Sequence, residues 1–113
     1  MAETTAPFEA FLELDIRIGT VLSAERAQTR KSTYRMRIDF GGEIGIKVSC
    51  GAYTNYAPEA LVGRQVVGIV NFAPRRMGVE VSEVLVLGVE APGGEGTVFL
   101  TVEQNVANGA KIF

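Results

Sequence analysis

Thr33-Tyr34-Arg35-Met36-Arg37-Ile38-Asp39-Phe40-Gly41-Gly42 is the stretch on which the fold turns, because it alternates polar and apolar without a fault and ends in two glycines. Successive strand side chains point to opposite faces, so Tyr34, Met36, Ile38 and Phe40 form one apolar face, with Arg35, Arg37 and Asp39 on the other. Ile44-Gly45-Ile46-Lys47-Val48-Ser49-Cys50 alternates again. Two half-buried strands joined through Gly41-Gly42 read as a hairpin. Its expected inward face includes Cys50, and its outward face carries Arg35, Arg37, Lys47 and Ser49.

Before the hairpin, Pro7-Phe8-Glu9-Ala10-Phe11-Leu12 places Phe8, Phe11 and Leu12 at i, i+3, i+4, the spacing of a short amphipathic helix packed on the body. Leu14, Ile16, Ile18 and Leu22 share one parity and predict a first strand, with Gly19 as its bend or bulge. Beyond the hairpin, residues 51–63 lose the alternation and contain Pro58-Glu59-Ala60-Leu61, a connection with a turn or two of helix. Residues 65–72 and 84–89 are apolar on both parities and need cover on both faces, from the terminal segments or from another subunit. Residues 97–102 form a late strand. Periodicity alone leaves several small barrels open. Five main strands with a helical connection between the third and fourth is the order of an all-β OB-fold, a five-stranded Greek-key barrel, here with a short N-terminal helix and a C-terminal extension.

The 113 residues, 47% hydrophobic and 21% charged, suit a single domain spanning 1–113. The chain has no His and one cysteine, Cys50. Counting therefore excludes a four-ligand Cys/His zinc site, a His-based nucleophile pair and an intrachain disulfide. Cys50 reads as a small buried apolar residue, and Glu80 and Glu83 as solubilising surface charge. No metal, cofactor or catalytic activity is expected. The acidic N-terminus is unlike a signal peptide's basic start, and no stretch approaches the roughly 18 apolar residues of a membrane span, so the expected location is the cytoplasm.

A net charge of -2 conceals segregation. Residues 1–16 sum to -4, residues 17–76 to +6 and the remainder to -4. On the OB assignment, Arg17, Arg35, Arg37, Lys47 and Ser49 face one way, Arg30 and Lys31 occupy the loop after the first strand, and Arg75 and Arg76 the loop after the fourth. Those loops flank the usual OB binding face. The plain alternative is a solvated face, the commoner meaning of a charge run. A pI near 5.1 also lies far below that of a dedicated nucleic-acid domain. Tyr53, Tyr56 and Phe72 are the candidates for stacking on bases.

Leu14-Asp15-Ile16-Arg17-Ile18-Gly19, Asn71-Phe72-Ala73-Pro74-Arg75-Arg76-Met77, Ser82-Glu83-Val84-Leu85-Val86-Leu87-Gly88 and Asn108-Gly109-Ala110-Lys111-Ile112 together resemble the tRNA-binding-domain family. The resemblance runs from about Phe8 to Phe113. It is strongest to the small stand-alone CsaA branch, described as export-related chaperones. Two departures accompany it: Arg30-Lys31-Ser32-Thr33-Tyr34 lacks the proline of that branch, and the loop after Met77 carries an acidic Glu80. The resemblance implies an OB-fold, a homodimer built partly from terminal segments, and no enzymatic activity. In larger relatives the domain is appended to methionyl-tRNA synthetases and binds tRNA by shape. Positions matching that role are Arg17, Lys47, Ser49, Asn71, Pro74, Met77 and Ser82, with Asn71 and Ser82 as bonds to sugar or phosphate. The expected partners are therefore a second copy of the chain and unfolded or precursor polypeptides, gripped by Phe72 and Met77 beside Arg75 and Arg76. The alternative partner is tRNA.

Overall fold

The computed structural model describes residues 4–29 and 32–113. Along the chain run α1 (Phe8–Leu12), β1 (Ile16–Arg26), β2 (Tyr34–Asp39), β3 (Ile46–Gly51), α2 (Pro58–Leu61) and β4 (Gln65–Ile69). Then follow β5 (Arg75–Met77), β6 (Glu80–Ser82), β7 (Leu85–Val86), β8 (Gly88–Glu90) and β9 (Thr97–Phe99). The main sheet has the order β3-β2-β1-β4-β7, with antiparallel neighbours throughout, and curls into a nearly closed barrel of the expected OB type.

The barrel interior holds Val21, Met36, Ile38, Phe40, Leu61, Val66, Val84 and Val86, all buried. Phe40 fits because two strands facing it are bare there. A Cβ at Gly19 would stand 2.8 Å from its Cδ1, and one at Gly68 would stand 2.9 Å from its Cζ. Gly19 is thus the seat of the Phe40 ring. The bulge in β1 falls later, where the register moves from Val21↔Ile38 to Ser23↔Arg37. That extra residue lets Val21 and Ala24 both face the core and sets Glu25 opposite Arg35 on the outer face.

A second apolar layer lies outside the barrel. Ile16, Ile18, Val67 and Ile69 are covered by Phe11, Leu14, Leu87, Val102, Ala110 and Ile112. The C-terminal segment bonds to the free edge of β1, with Ile18 N–H donating to Ala110 O at 2.9 Å and Gly109 N–H to Ile18 O at 2.7 Å. The second cover for β4 therefore comes from this chain's own ends. Of the α1 side chains, Phe11 packs on this layer, whereas Phe8 and Leu12 are 67% and 60% exposed. A five-residue helix turns too briefly to bury all three.

Two expectations change. The segment between the fourth and fifth strands, expected as a loop, forms the β5–β6 hairpin, and the expected fifth strand divides into β7, paired with β4, and β8, paired with β9. The expected faces of β3 are also reversed. Met36 stands opposite Ser49, Ile38 opposite Lys47 and Arg35 opposite Cys50. Directly opposed residues share a face, so the odd positions of β3 turn to the barrel side and Cys50 turns outward. Cys50 is nonetheless buried, because β6 lies over it.

Candidate functional site

The β3 edge is closed by the last residue of β6 and the one that follows it. Glu83 N–H donates to Val48 O at 2.7 Å, Val48 N–H donates to Glu83 Oε1 at 2.9 Å, and Cys50 N–H donates to Ser82 Oγ at 3.0 Å. Two side chains thereby stand in for the carbonyls a neighbouring strand would present. Ser82, expected as a contact to sugar or phosphate, is 5% exposed and its hydroxyl also donates to Val84 O. Replacing it by alanine strands the buried Cys50 N–H. Ser82→Ala is expected to lower stability by about 1–3 kcal/mol, read as a lower urea midpoint at unchanged slope. An unchanged midpoint with weaker ligand binding would return Ser82 to the contact role.

Asn71 is committed in the same way. Its Oδ1 accepts Asp15 N–H and its Nδ2 donates to Glu13 O, both at 2.9 Å, tying the α1–β1 link to the end of β4. Arg17 lies at the barrel end, where its Nε donates to Asp15 Oδ1 at 2.6 Å and its Nη1 to Gly109 O at 2.9 Å. Ser49 is 1% exposed and shares a 2.9 Å hydrogen bond with the Tyr53 hydroxyl. Burial pushes the Tyr53 phenol and the Cys50 thiol above their usual ranges. Neither is a poised nucleophile.

The expected convergence of positive charge is therefore only partial. Arg17 and Arg35 lie toward opposite ends of β1: Glu25, the β1 partner of Arg35, is eight residues along that bulged strand from Arg17, about 26 Å of extended chain. Lys47 shares the face of Ile38 rather than that of Arg35. Arg30 and Lys31 lie outside the described residues. Of the stacking candidates, Tyr53 is 5% exposed, and Tyr56 lies stacked on Phe99, with Arg64 over its ring. Phe72 alone of the three is exposed, at 46%.

What the fold does bring together lies around the hairpin. Phe72, Ala73, Pro74, Arg75, Ser82, Glu83, Val84 and Leu85 line an open cleft of about 320 Å³. Its walls are mainly apolar, because Ser82 and Glu83 direct their polar atoms into β3. Arg75 and Arg76 are exposed and make no ion pair among the described residues. Met77 is half-buried opposite Glu80. The cleft thus joins an apolar floor to a guanidinium rim, a combination that takes an apolar side chain together with an anionic group.

Glu80, expected as surface charge, is 6% exposed. It accepts Gln28 N–H at 2.9 Å and Arg35 Nη1 at 3.0 and 3.1 Å, while Arg35 also pairs with Glu25 at 2.8 Å. The Gln28 amide, and secondly the Arg35 guanidinium, hold the Glu80 carboxyl below its usual range. A depressed folded pKa means stabilisation present above the unfolded value of about 4.3 and lost as pH falls through the lower folded value. Acid titration of the urea midpoint below about pH 4.5 should thus be shallower in Glu80→Gln than in the parent. Equal slopes would remove the assignment.

Comparisons with known proteins agree with this architecture. Residues 16–111 match the family described as "Putative tRNA binding domain". The chain is 42% identical over 106 residues to a methionine–tRNA ligase of Porphyromonas gingivalis, covering 93% of this chain but 15% of that enzyme. Among solved structures, the chaperone CsaA of Bacillus anthracis superposes with a TM-score of 0.89 at 45% identity, covering 97% of this chain and 100% of the other. The CsaA chaperone protein of Picrophilus torridus gives 0.89 at 33% identity, covering 96% and 100%.

Proposed function

The chain belongs to the tRNA-binding-domain family, and on that premise we propose that it is a non-enzymatic, CsaA-like homodimeric chaperone that binds unfolded or precursor polypeptides in the cytoplasm, in connection with protein export. The observation that carries this reading is the apolar cleft of Phe72, Pro74, Val84 and Leu85 with Arg75 at its edge. An unfolded chain differs from a folded one in presenting apolar side chains in extended backbone, and the cleft offers them a place out of water. Burying one Leu-sized or Phe-sized side chain contributes about 1.5–3 kcal/mol, less than the roughly 4 kcal/mol of a millimolar complex. One cleft alone is thus a weak holder. Two clefts on a dimer engage the same client at raised effective concentration, which is why dimerisation belongs to the proposal. Exposed Phe8, Leu12, Val89, Val98, Leu100 and Phe113 supply apolar surface for it.

The test is aggregation of a chemically denatured client on dilution, with the oligomeric state measured in parallel. The parent protein is expected to suppress aggregation, and Phe72→Asp/Leu85→Asp, which places two carboxylates in the cleft, is expected not to. A parent protein that neither suppresses aggregation nor binds an unfolded chain overturns the reading. The second reading, a tRNA-binding module, is favoured by the exposed Arg75 and Arg76.

A further inference from the structure

A hairpin of two three-residue strands has little stability of its own, since isolated two-stranded hairpins are marginal in water. The β5–β6 hairpin nevertheless carries Arg75 and contributes Arg75 and Ser82 to the cleft wall. Its base is anchored on β3 through Ser82 and Glu83. Its tip turns at Gly78, with φ of +65°, and exposes Val79 at 73%. At that tip Glu80 points back into the body, where Gln28 N–H from the segment after β1 and Arg35 from β2 converge on it.

We propose that Glu80 is a positioning residue for the cleft: by clamping the hairpin tip to Arg35 and to the Gln28 amide, it holds Arg75 and Met77 in place for a bound chain. The inference rests on the function proposed above and adds the element that sets the shape of that site. One guanidinium serves two carboxylates at the clamp. Arg35 faces Glu80 from β2 and Glu25 faces Arg35 from β1, while Cys50 on β3 is held protonated by burial. Pairing with Arg35 and the Gln28 amide weakens the repulsion that the Glu80 carboxylate would exert on an anionic group at the cleft. The same contact ties up Arg35, so Arg35 acts through Glu80 and is withheld from direct contact.

Two readouts test this separately. Hydrogen exchange needs no ligand: in Glu80→Ala the amides of Gln28 and of residues 76–81 are expected to exchange about tenfold faster or more, while those of Ile38 and Val66 in the barrel stay as in the parent. Binding of a permanently unfolded probe, reduced and alkylated α-lactalbumin, is expected to weaken several-fold in the same variant. Glu80→Gln, which keeps an acceptor for Gln28, should fall between the two in both measurements. It also carries the test if faster exchange at Ile38 shows that Glu80→Ala unfolds. Unchanged exchange at Gln28, or a loosened hairpin with undiminished probe binding, overturns the proposal. A parent protein that does not bind the probe overturns the chaperone reading, and exchange then decides the clamp alone.

Discussion

Phe40→Ala is expected to lower the free energy of unfolding by about 3–5 kcal/mol, a large part of the roughly 5–15 kcal/mol available to a domain of this kind. The size follows from what surrounds the ring. Phe40 is fully buried and lies over Gly19 and Gly68, two positions with no side chain to swing into the vacated space. Cavities that cannot collapse sit at the upper end of the range for large-to-small substitution. The converse change, Gly19→Ala, places a Cβ 2.7 Å from Ile38 Cγ2 and 2.8 Å from Phe40 Cδ1, an overpacking expected to cost about 1–3 kcal/mol. Combined with Phe40→Ala it should cost less than the sum, because the added methyl enters the space the ring has left. Urea unfolding of the four proteins measures the cycle. A loss below about 1 kcal/mol for Phe40→Ala would show that the barrel repacks freely and that the glycine seat is incidental.

The second large effect concerns tRNA. Arg75 and Arg76 are neighbours on β5 and point to opposite faces of the hairpin, both exposed and without carboxylate partners among the described residues. If they neutralise one phosphate each, removing both should reduce the slope of log affinity against log salt by about 1.4–1.8 and weaken binding on the order of 20-fold at physiological salt. Arg75→Ala/Arg76→Ala titrated with tRNA between about 50 and 200 mM salt checks this. Arg17→Ala is the control: that guanidinium is bonded to Asp15 and Gly109 at the barrel end, and its loss should leave the salt slope unchanged. Binding that ignores salt, or that survives loss of both hairpin arginines, removes the tRNA reading and leaves the apolar cleft as the site.

In β3 the local pattern and the pairing give different faces. Alternation in residues 44–50 predicts a strand, and Ile46–Gly51 is one. Which face is which, however, depends on pairing with β2, and the odd-numbered partners of Met36 and Ile38 are fixed by the turn rather than by the polarity of β3 itself. Apolar Val48 and Cys50 can face outward because β6 covers them, a cover that lies more than 30 residues away in the chain. The β5–β6 hairpin was hidden for a related reason: Arg75-Arg76-Met77 and Glu80-Val81-Ser82 are too short to show a period. The signal present was Gly78 between two matched triplets, which turns the chain at positive φ.

Chain-local patterning was enough for the order of strands, the barrel class and the resemblance of the motif segments, because side-chain alternation and turn glycines act over a few residues. Composition was enough to exclude chemistry that requires histidine. Tertiary structure alone decided which polar side chains face a partner and which are spent inside the fold. Arg17, Asn71, Ser82 and Glu80 each satisfy a group supplied by a segment between 32 and 92 residues distant, and no local pattern encodes such a meeting. A charged or amide side chain already bonded within the fold must give up those bonds before it binds anything else. Among the described residues, the hairpin arginines Arg75 and Arg76 stay exposed and outside any ion pair beside the apolar cleft, while Arg26 and Arg37 are exposed elsewhere, on β1 and β2.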